Sequence, residues 1–383
     1  MFKLLKGGHC FIPKDIGIRD VLIFFDKICT IESQISEKSL AELEVIDCHN
    51  CLVCPGFIDQ HVHITGGGGE EGPASRIPEL MLSDITTAGV TTLVGVLGFD
   101  SITRNITGLL AKARALEIEG LTTFIYTGSY SVPAITLTGR VLNDVAILDK
   151  VIGAGEIAIA DYRTPHLSLQ GLQELASEVK VGGMLGSKAG ILHFHVGDEK
   201  EGLEILFQLI DKSAFPIKMF VPTHINRNKR LFQQGITYLK KGGYIDLTAG
   251  ETAEKGYDIP ESLEILTREG FDLRNVTVSS DGNGSIPIQR GGMTGIGKVR
   301  QLFEDLRTTI VEKNIPVETV LQTVTSNPAK LLNLYPQKGL LARGSDADIL
   351  VLRKDDYDIQ HLIIKGITFI KEGKVIKKGR YEK

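Results

Sequence analysis

The sequence has no cysteine after position 54, no long hydrophobic run and no marked excess of either charge. Each shortage excludes something. No apolar stretch approaches the ~20 residues of a membrane-spanning helix. The opening MFKLLKGGHC lacks the apolar centre of a secretory signal, so a cytoplasmic protein with no membrane partner is expected. A formal net charge of -4 over 383 residues gives no electrostatic footprint for nucleic acid.

The five cysteines are Cys10, Cys29, Cys48, Cys51 and Cys54. The last three form C-x-x-C-x-x-C, which resembles part of an iron–sulfur ligand run. A fourth thiolate at the usual spacing is missing, and His49 is the only nearby substitute. Small apolar side chains around a strand in a reducing compartment is the better reading.

What is present changes character along the chain. The first fifty residues alternate, as in VLIFFDKICTIES and LEVIDCHNCLV, and so do the last fifty, as in DADILVLRKD. Both read as half-buried strands of an antiparallel sheet with one wet face. The two ends are expected to pair as a small β-sandwich domain, residues 1–54 plus 336–383. Between them, over 55–335, eight short apolar runs recur every 25 to 35 residues, most separated by helix-like stretches such as SLQGLQELASEVKVGG. Parallel strands need crossover connections, and eight such units predict a (β/α)8 TIM-type barrel. The fold class is α/β, and 383 residues suffice for such a domain with a small companion.

The polar residues of these runs sit at their C-terminal ends: His61, His63, Tyr130, Arg163, His195, His224 and Asp281. In a barrel those ends share the face that carries the chemistry. His61 and His63 lie two apart, so both imidazoles leave one side of a strand. Four imidazoles and a carboxylate on one face suit zinc or another first-row divalent ion. Five ligands exceed one open tetrahedral site, so two metal ions are expected, with Glu156 as the candidate bridging anion. A metal pair lowers the pKa of a bound water and polarises a carbonyl, which points to hydrolysis of an amide, ester or phosphoester. Asp281 is the candidate general base and acid.

The remaining residues describe a substrate. Arg163 and Arg227 are forked donors suited to carboxylate, although each has a plainer use as a partner for Glu70, Glu71 or Asp161. Glu70 suits an ammonium group. Tyr130 suits a developing oxyanion. The run Gly66–Gly69 lets backbone N–H groups approach a second carboxylate, and Ser285 adds a hydroxyl. Together they fit an amino acid or a short peptide.

PGFIDQHVH, THINRN, SSDGNGS, TSNPAKLLNL and GLLARGSDADILVL together resemble the amidohydrolase superfamily over nearly the whole chain. Within it, HVHITGGGGEEGPASR, TGSYSVP, ADYRT, HVGD and PTHINRN resemble the isoaspartyl dipeptidases. The resemblance implies hydrolysis of β-aspartyl dipeptides by a homo-oligomer, an octamer by family likeness. It implies one zinc on His61, His63 and Asp281 and a second on His195 and His224. It places the α-amino group on Glu70, the C-terminal side on Arg163, Arg227 and Tyr130, and the aspartyl carboxylate on Ser285 and the backbone near Gly68. Two positions depart from the pattern. Glu156 stands where the family carries a carboxylated lysine at the end of the fourth strand, and Phe99 stands where a small hydroxyl residue is expected. Rival readings are a cyclic-amide hydrolase, in which Glu70 would have no ammonium to meet, and a catalytically dead scaffold, which would be expected to lack metal ligands.

Overall fold

The computed structural model describes residues 2–39, 42–164, 167–251, 255–287 and 294–383. Five strands come first: β1 (Phe2–Phe11), β2 (Asp15–Phe24), β3 (Lys27–Glu32), β4 (Leu43–Asp47) and β5 (Cys51–Pro55). The eight apolar runs of the centre are all strands: β6 (Phe57–Val62), β7 (Val90–Gly95), β8 (Thr122–Thr127), β9 (Val151–Ile159), β10 (Ile191–Val196), β11 (Phe220–Thr223), β12 (Ile245–Thr248) and β13 (Val276–Ser279). A short antiparallel pair follows, β14 (Ser285–Pro287) and β15 (Thr294–Ile296). The chain closes with β16 (Ile349–Arg353), β17 (Ile359–Ile364), β18 (Ile367–Lys371) and β19 (Lys374–Val375).

β6 to β11 form a parallel six-stranded sheet in chain order, and β12 and β13 form a separate parallel pair. The sheet curls, and one backbone hydrogen bond joins that pair to it at each end. Ile225 N–H donates to Asp246 O at 3.3 Å, and His63 N–H donates to Gly282 O at 2.9 Å. Helices fill most of the crossovers, and their starts are written in the sequence. Asn105, Ser168, Asn228 and Asp258 each accept a backbone N–H three residues on, capping the helices Ile106–Glu119, Leu169–Gly186, Lys229–Lys240 and Ile259–Arg268. Among the described residues no helix is long and apolar enough to cross a membrane.

The two chain ends share one sheet, ordered β19-β18-β17-β16-β5-β1-β2-β3, with β4 also on β1. β5 and β16 join them, Val53 opposite Val351. Two expectations need correction. β1 runs parallel to β4 and β5, so the sheet is mixed rather than antiparallel. β4 starts beside the start of β1, Leu43 opposite Phe2. The middle of the sheet also has no wet face. Leu52 and Cys54 enter the cluster of the curled sheet, while Cys51 and Val53 enter the cluster of the terminal strands. Alternate residues of a strand point to opposite faces, so β5 serves two cores at once.

Candidate metal centre and its cavity

The site lies at the C-terminal ends of the central strands. His63 follows β6, His195 lies in β10, His224 follows β11, and Asp281 follows β13. Glu156 lies inside β9. Opposite it the ladder skips. Leu192 pairs with Ala154 and Phe194 with Ile157, so Gly155 and Glu156 together face the single residue His193. Such a bulge re-aims a side chain, and here it carries the carboxylate between the two histidine pairs.

Glu156 Oε2 lies 3.3 Å from His61 Nε2, 3.2 Å from His195 Nδ1 and 3.7 Å from His224 Nε2, while Oε1 lies 3.5 Å from His63 Nε2. Asp281 Oδ1 stands 3.1 Å from His63 Nε2 and 3.5 Å from His61 Nε2. All six side chains are buried. Ligand atoms converge in two groups, His61, His63 and Glu156, and Glu156, His195 and His224, each within 4.8 Å.

Protonation suits a metal at two of the imidazoles; at His63 burial opposes protonation, but Asp281 outweighs it and raises the pKa. Burial holds His61 and His224 well below the usual imidazole pKa, so both are neutral. Burial works against ionisation of Glu156, but the surrounding imidazoles outweigh it and keep the carboxylate charged. His61 Nε2 and Asp281 Oδ1 are buried with no hydrogen-bond partner among the described residues. Buried polar atoms without partners are costly, and neutral imidazoles with carboxylates are a zinc-type donor set. The residues present therefore fit a pair of divalent ions.

The second nitrogens of three of these imidazoles are anchored, while His63 Nδ1 is buried with no hydrogen-bond partner among the described residues. His195 Nε2 meets Asp161 Oδ2 at 3.1 Å, His224 Nδ1 meets Thr248 Oγ1 at 2.8 Å, and His61 Nδ1 meets His193 Nε2 at 2.8 Å. Burial lowers the His193 pKa to about 4, so that ring is neutral as well. Beneath them Asp246 is wholly buried among hydroxyl and amide donors.

A cavity of about 550 Å³ opens above the centre, lined among others by His63, Glu70, Phe99, Arg163, Arg227 and Ser285. Gly68, Tyr130, Glu156, His195 and Asp281 line it too. His61 and His224 lie just behind, against Glu156. The sequence candidates are thus brought together.

Their pairings constrain them. Arg163 grips Asp161 with two nitrogens, Nε at 2.9 Å and Nη2 at 2.6 Å, and reaches Glu70 Oε1 with Nη1 at 3.4 Å. The plainer use of Arg163 as an ion-pair partner is therefore part of the geometry. Arg227 pairs with Glu251 at 3.1 Å and donates to Val196 O at 2.9 Å. Ser285 Oγ donates to Glu70 Oε1 at 2.6 Å, and Glu70 Oε2 is buried without a partner among the described residues. Tyr130 OH lies 3.0 Å from His195 Nδ1, and burial pushes its phenol well above the ordinary range, so it stays a donor. Phe99 stands edge-on to Tyr130 with ring centroids 6.4 Å apart.

The glycine run is a folded loop. Gly66 has φ 80°, and a Cβ there would stand 2.0 Å from Ile77 O. Gly66 and Gly67 spend their N–H groups on His63 O and Asn283 O, which leaves the cavity side to Gly68. Arg104 clasps the loop from behind through the carbonyls of Thr65, Gly67 and Ile77.

Sequence reasoning passed over His193, Thr248, Asp246, Glu251 and Arg104, and took Asp161 only as an arginine partner. One signal was available: HFH at 193–195 repeats the H-x-H of His61 and His63.

Residues 52–378 match the model of the Amidohydrolase family. A beta-aspartyl dipeptidase from the thermophilic, keratin-degrading Fervidobacterium islandicum AW-1, solved in complex with beta-Asp-Leu dipeptide, is 42% identical. All of each chain is covered, with a TM-score of 0.93. More distant similarity reaches an L-hydantoinase of Paenarthrobacter aurescens, 21% identical over 91% of this chain and 85% of that one. A dihydropyrimidinase of Brevibacillus agri shares the fold alone, with 16% identity over 99% and 97% of the two chains and a TM-score of 0.69. On this evidence the chain belongs to the amidohydrolase family and, within it, is similar to beta-aspartyl dipeptidase.

Proposed function

We propose that this chain is a dipeptidase that hydrolyses β-aspartyl dipeptides with the help of two divalent metal ions, most suitably zinc. His61, His63 and Asp281 would hold one ion, His195 and His224 the other, with Glu156 between them in place of a carboxylated lysine. The ions would supply Lewis acidity, lowering the pKa of a water and polarising the scissile carbonyl.

The chain's own residues do the rest. Glu70 Oε2 receives the substrate ammonium. Ser285 and the backbone at Gly68 meet the aspartyl α-carboxylate. Arg227 and the Nη1 side of Arg163, which reaches Glu70 only at 3.4 Å, take the C-terminal carboxylate. Tyr130 OH donates to the carbonyl oxygen as charge develops there. Asp281 accepts the proton of the attacking water and delivers it to the departing nitrogen.

The observation that carries this reading is Glu70 Oε2, a buried carboxylate oxygen without a partner among the described residues, in the same cavity as the paired histidines. A cyclic amide has no ammonium to place there. The likeness to an enzyme solved with beta-Asp-Leu points the same way. Hydantoinase-type relatives keep the cyclic-amide reading as the alternative.

The same proposal covers the architecture. β6 to β13 act as one closed eight-stranded barrel over 55–335, and the terminal sheet acts as a β-sandwich domain over 1–54 and 336–383. The protein works as a cytoplasmic homo-oligomer. Incubation with β-aspartyl-leucine and α-aspartyl-leucine, with and without chelator, tests the activity. Chelator-sensitive cleavage of the β isomer alone is expected. Cleavage of dihydrouracil or a hydantoin with neither dipeptide touched would replace this reading by the alternative.

A further inference from the structure

His193 has no part in the reaction described above, yet it is wholly buried against the metal centre. It precedes His195 by two residues on β10, so both rings leave the strand on one side. Its Nε2 lies 2.8 Å from His61 Nδ1, and its own Nδ1 has no hydrogen-bond partner among the described residues. Its ring lies almost parallel to that of Tyr126, 18° apart with centroids at 5.2 Å. The bulge in β9 makes room for it: a Cβ on Gly155 would stand 2.8 Å from His193 Cβ and 2.9 Å from His193 O.

A buried imidazole beside a histidine ligand has two uses. It is either a ligand of a third ion or a hydrogen-bond partner. His61, His193 and a carboxylate oxygen of Asp246 do offer atoms within 4.8 Å of one another. Two observations decide against an ion. Asp246 already accepts four hydrogen bonds, from Gln60 and Thr277 on Oδ1 and from Thr223 and Ser279 on Oδ2, each at 2.6 Å. That fills the roughly four acceptor sites of a carboxylate. In addition, two nitrogens sharing a tetrahedral zinc at ~2.0–2.1 Å stand about 3.3 Å apart, whereas these two stand at hydrogen-bond distance, 2.8 Å.

The hydrogen bond has a fixed direction. His61 Nε2 faces Glu156 and Asp281. A neutral imidazole that ligates through Nε2 carries its proton on Nδ1. The geometry points to His193 as a positioning residue: its Nε2 accepts the Nδ1–H of His61 and so fixes the tautomer and ring angle with which His61 meets its ion. This rests on the reading that His61 and His63 hold a metal. The other cluster is supported differently, through Thr248 on His224, so the effect of His193 is confined to one of the two ions.

Zinc titration of the metal-free protein against a coloured chelator, without substrate, tests this. His193→Phe is expected to weaken one zinc equivalent about 10- to 100-fold and leave the other unchanged. His193→Gln, whose amide oxygen accepts the same proton, is expected to recover most of the loss. Wild-type affinity in a folded His193→Phe protein would overturn the assignment, as would equal losses in the Phe and Gln variants. A third zinc equivalent in the wild type that disappears with His193 would make it a ligand instead. Should His193→Phe fail to fold, long-range 1H–15N spectra of the zinc-loaded wild type decide: a proton on His193 Nδ1 supports the proposal, and one on Nε2 ends it. A protein that binds no zinc defeats the metal reading and this inference together. One that binds zinc but leaves β-aspartyl dipeptides intact defeats only the substrate reading.

Discussion

Two groups of metal-seeking side chains stand close in sequence and behave in opposite ways. Cys48, Cys51 and Cys54 are spaced like cluster ligands, and His61 and His63 follow a few residues later. Cys51 and Cys54 lie three apart on β5, an odd interval that sends them to opposite faces. Cys48 turns its sulfur to Ile46 O at 3.7 Å, and burial drives the thiols of Cys48 and Cys54 far up, away from thiolate. His61 and His63 are an even interval apart and converge with three other strand ends on Glu156 and Asp281. A metal site needs donors that converge in the right protonation state. Spacing in the sequence supplies that only when the strand geometry agrees with it.

The comparison can be pressed from both sides. The largest effect is expected at the histidine centre, where Asp281→Asn keeps the shape but would remove the proposed proton carrier. kcat for β-aspartyl-leucine should fall by about 10²–10⁴-fold, with circular dichroism unchanged; a variant of ordinary activity would take the proton from some other residue. Next comes Glu70→Gln, which removes the charge facing the substrate ammonium. Loss of a charged hydrogen bond of about 1.5–3 kcal/mol should lower kcat/KM by roughly 10- to 150-fold. The ratio between β-aspartyl and uncharged N-acetyl substrates should narrow.

At the seam between the regions the expected effects are smaller. Lys338 reaches across from the terminal sheet, bonding Asp346 at 2.8 Å and Asp348 at 2.5 Å as well as Thr122 of β8 at 2.8 Å. Burial opposes ionisation of Asp346, but Lys338 and Lys27 outweigh it and hold its carboxyl below the ordinary range. A depressed folded pKa stabilises above the unfolded value of about 3.9 and ceases to as the pH falls through the folded one. Asp346→Asn should therefore cost about 1.5 kcal/mol at pH 7 and little near pH 2, read from urea midpoints at both. The smallest effect belongs to the thiols. Replacing Cys48, Cys51 and Cys54 by alanine should cost about 1 kcal/mol apiece through lost packing. Zinc content and activity should be unaltered, and a loss of either would give the cysteines a role that their geometry denies.

Much of this was legible in the sequence. The eight central runs and the polar residues at the strand ends both follow from local periodicity, which a sequence displays directly. The bulge at Gly155 and Glu156 was not legible, because it exists only in the register between β9 and β10. Nor was the parallel pairing of β1, since alternation gives a strand its faces but not its neighbours. His193, Thr248 and Asp246 stayed hidden for a similar reason. They act through residues on other strands, and their own surroundings read as ordinary buried strand. Arg163 shows the limit from the other direction: its chemistry suggested a substrate carboxylate, and two of its nitrogens are occupied by Asp161.

The pairing of Val53 with Val351 also sets a timetable. A ribosome adding ~5–20 residues per second needs about 15 to 60 s to pass from one to the other. For that interval β5 is an emerging strand whose final neighbour β16 has not been made. An unpaired apolar edge is a template for association with other chains. The first fifty residues thus enter the cell with their central seam open, and the last fifty close it.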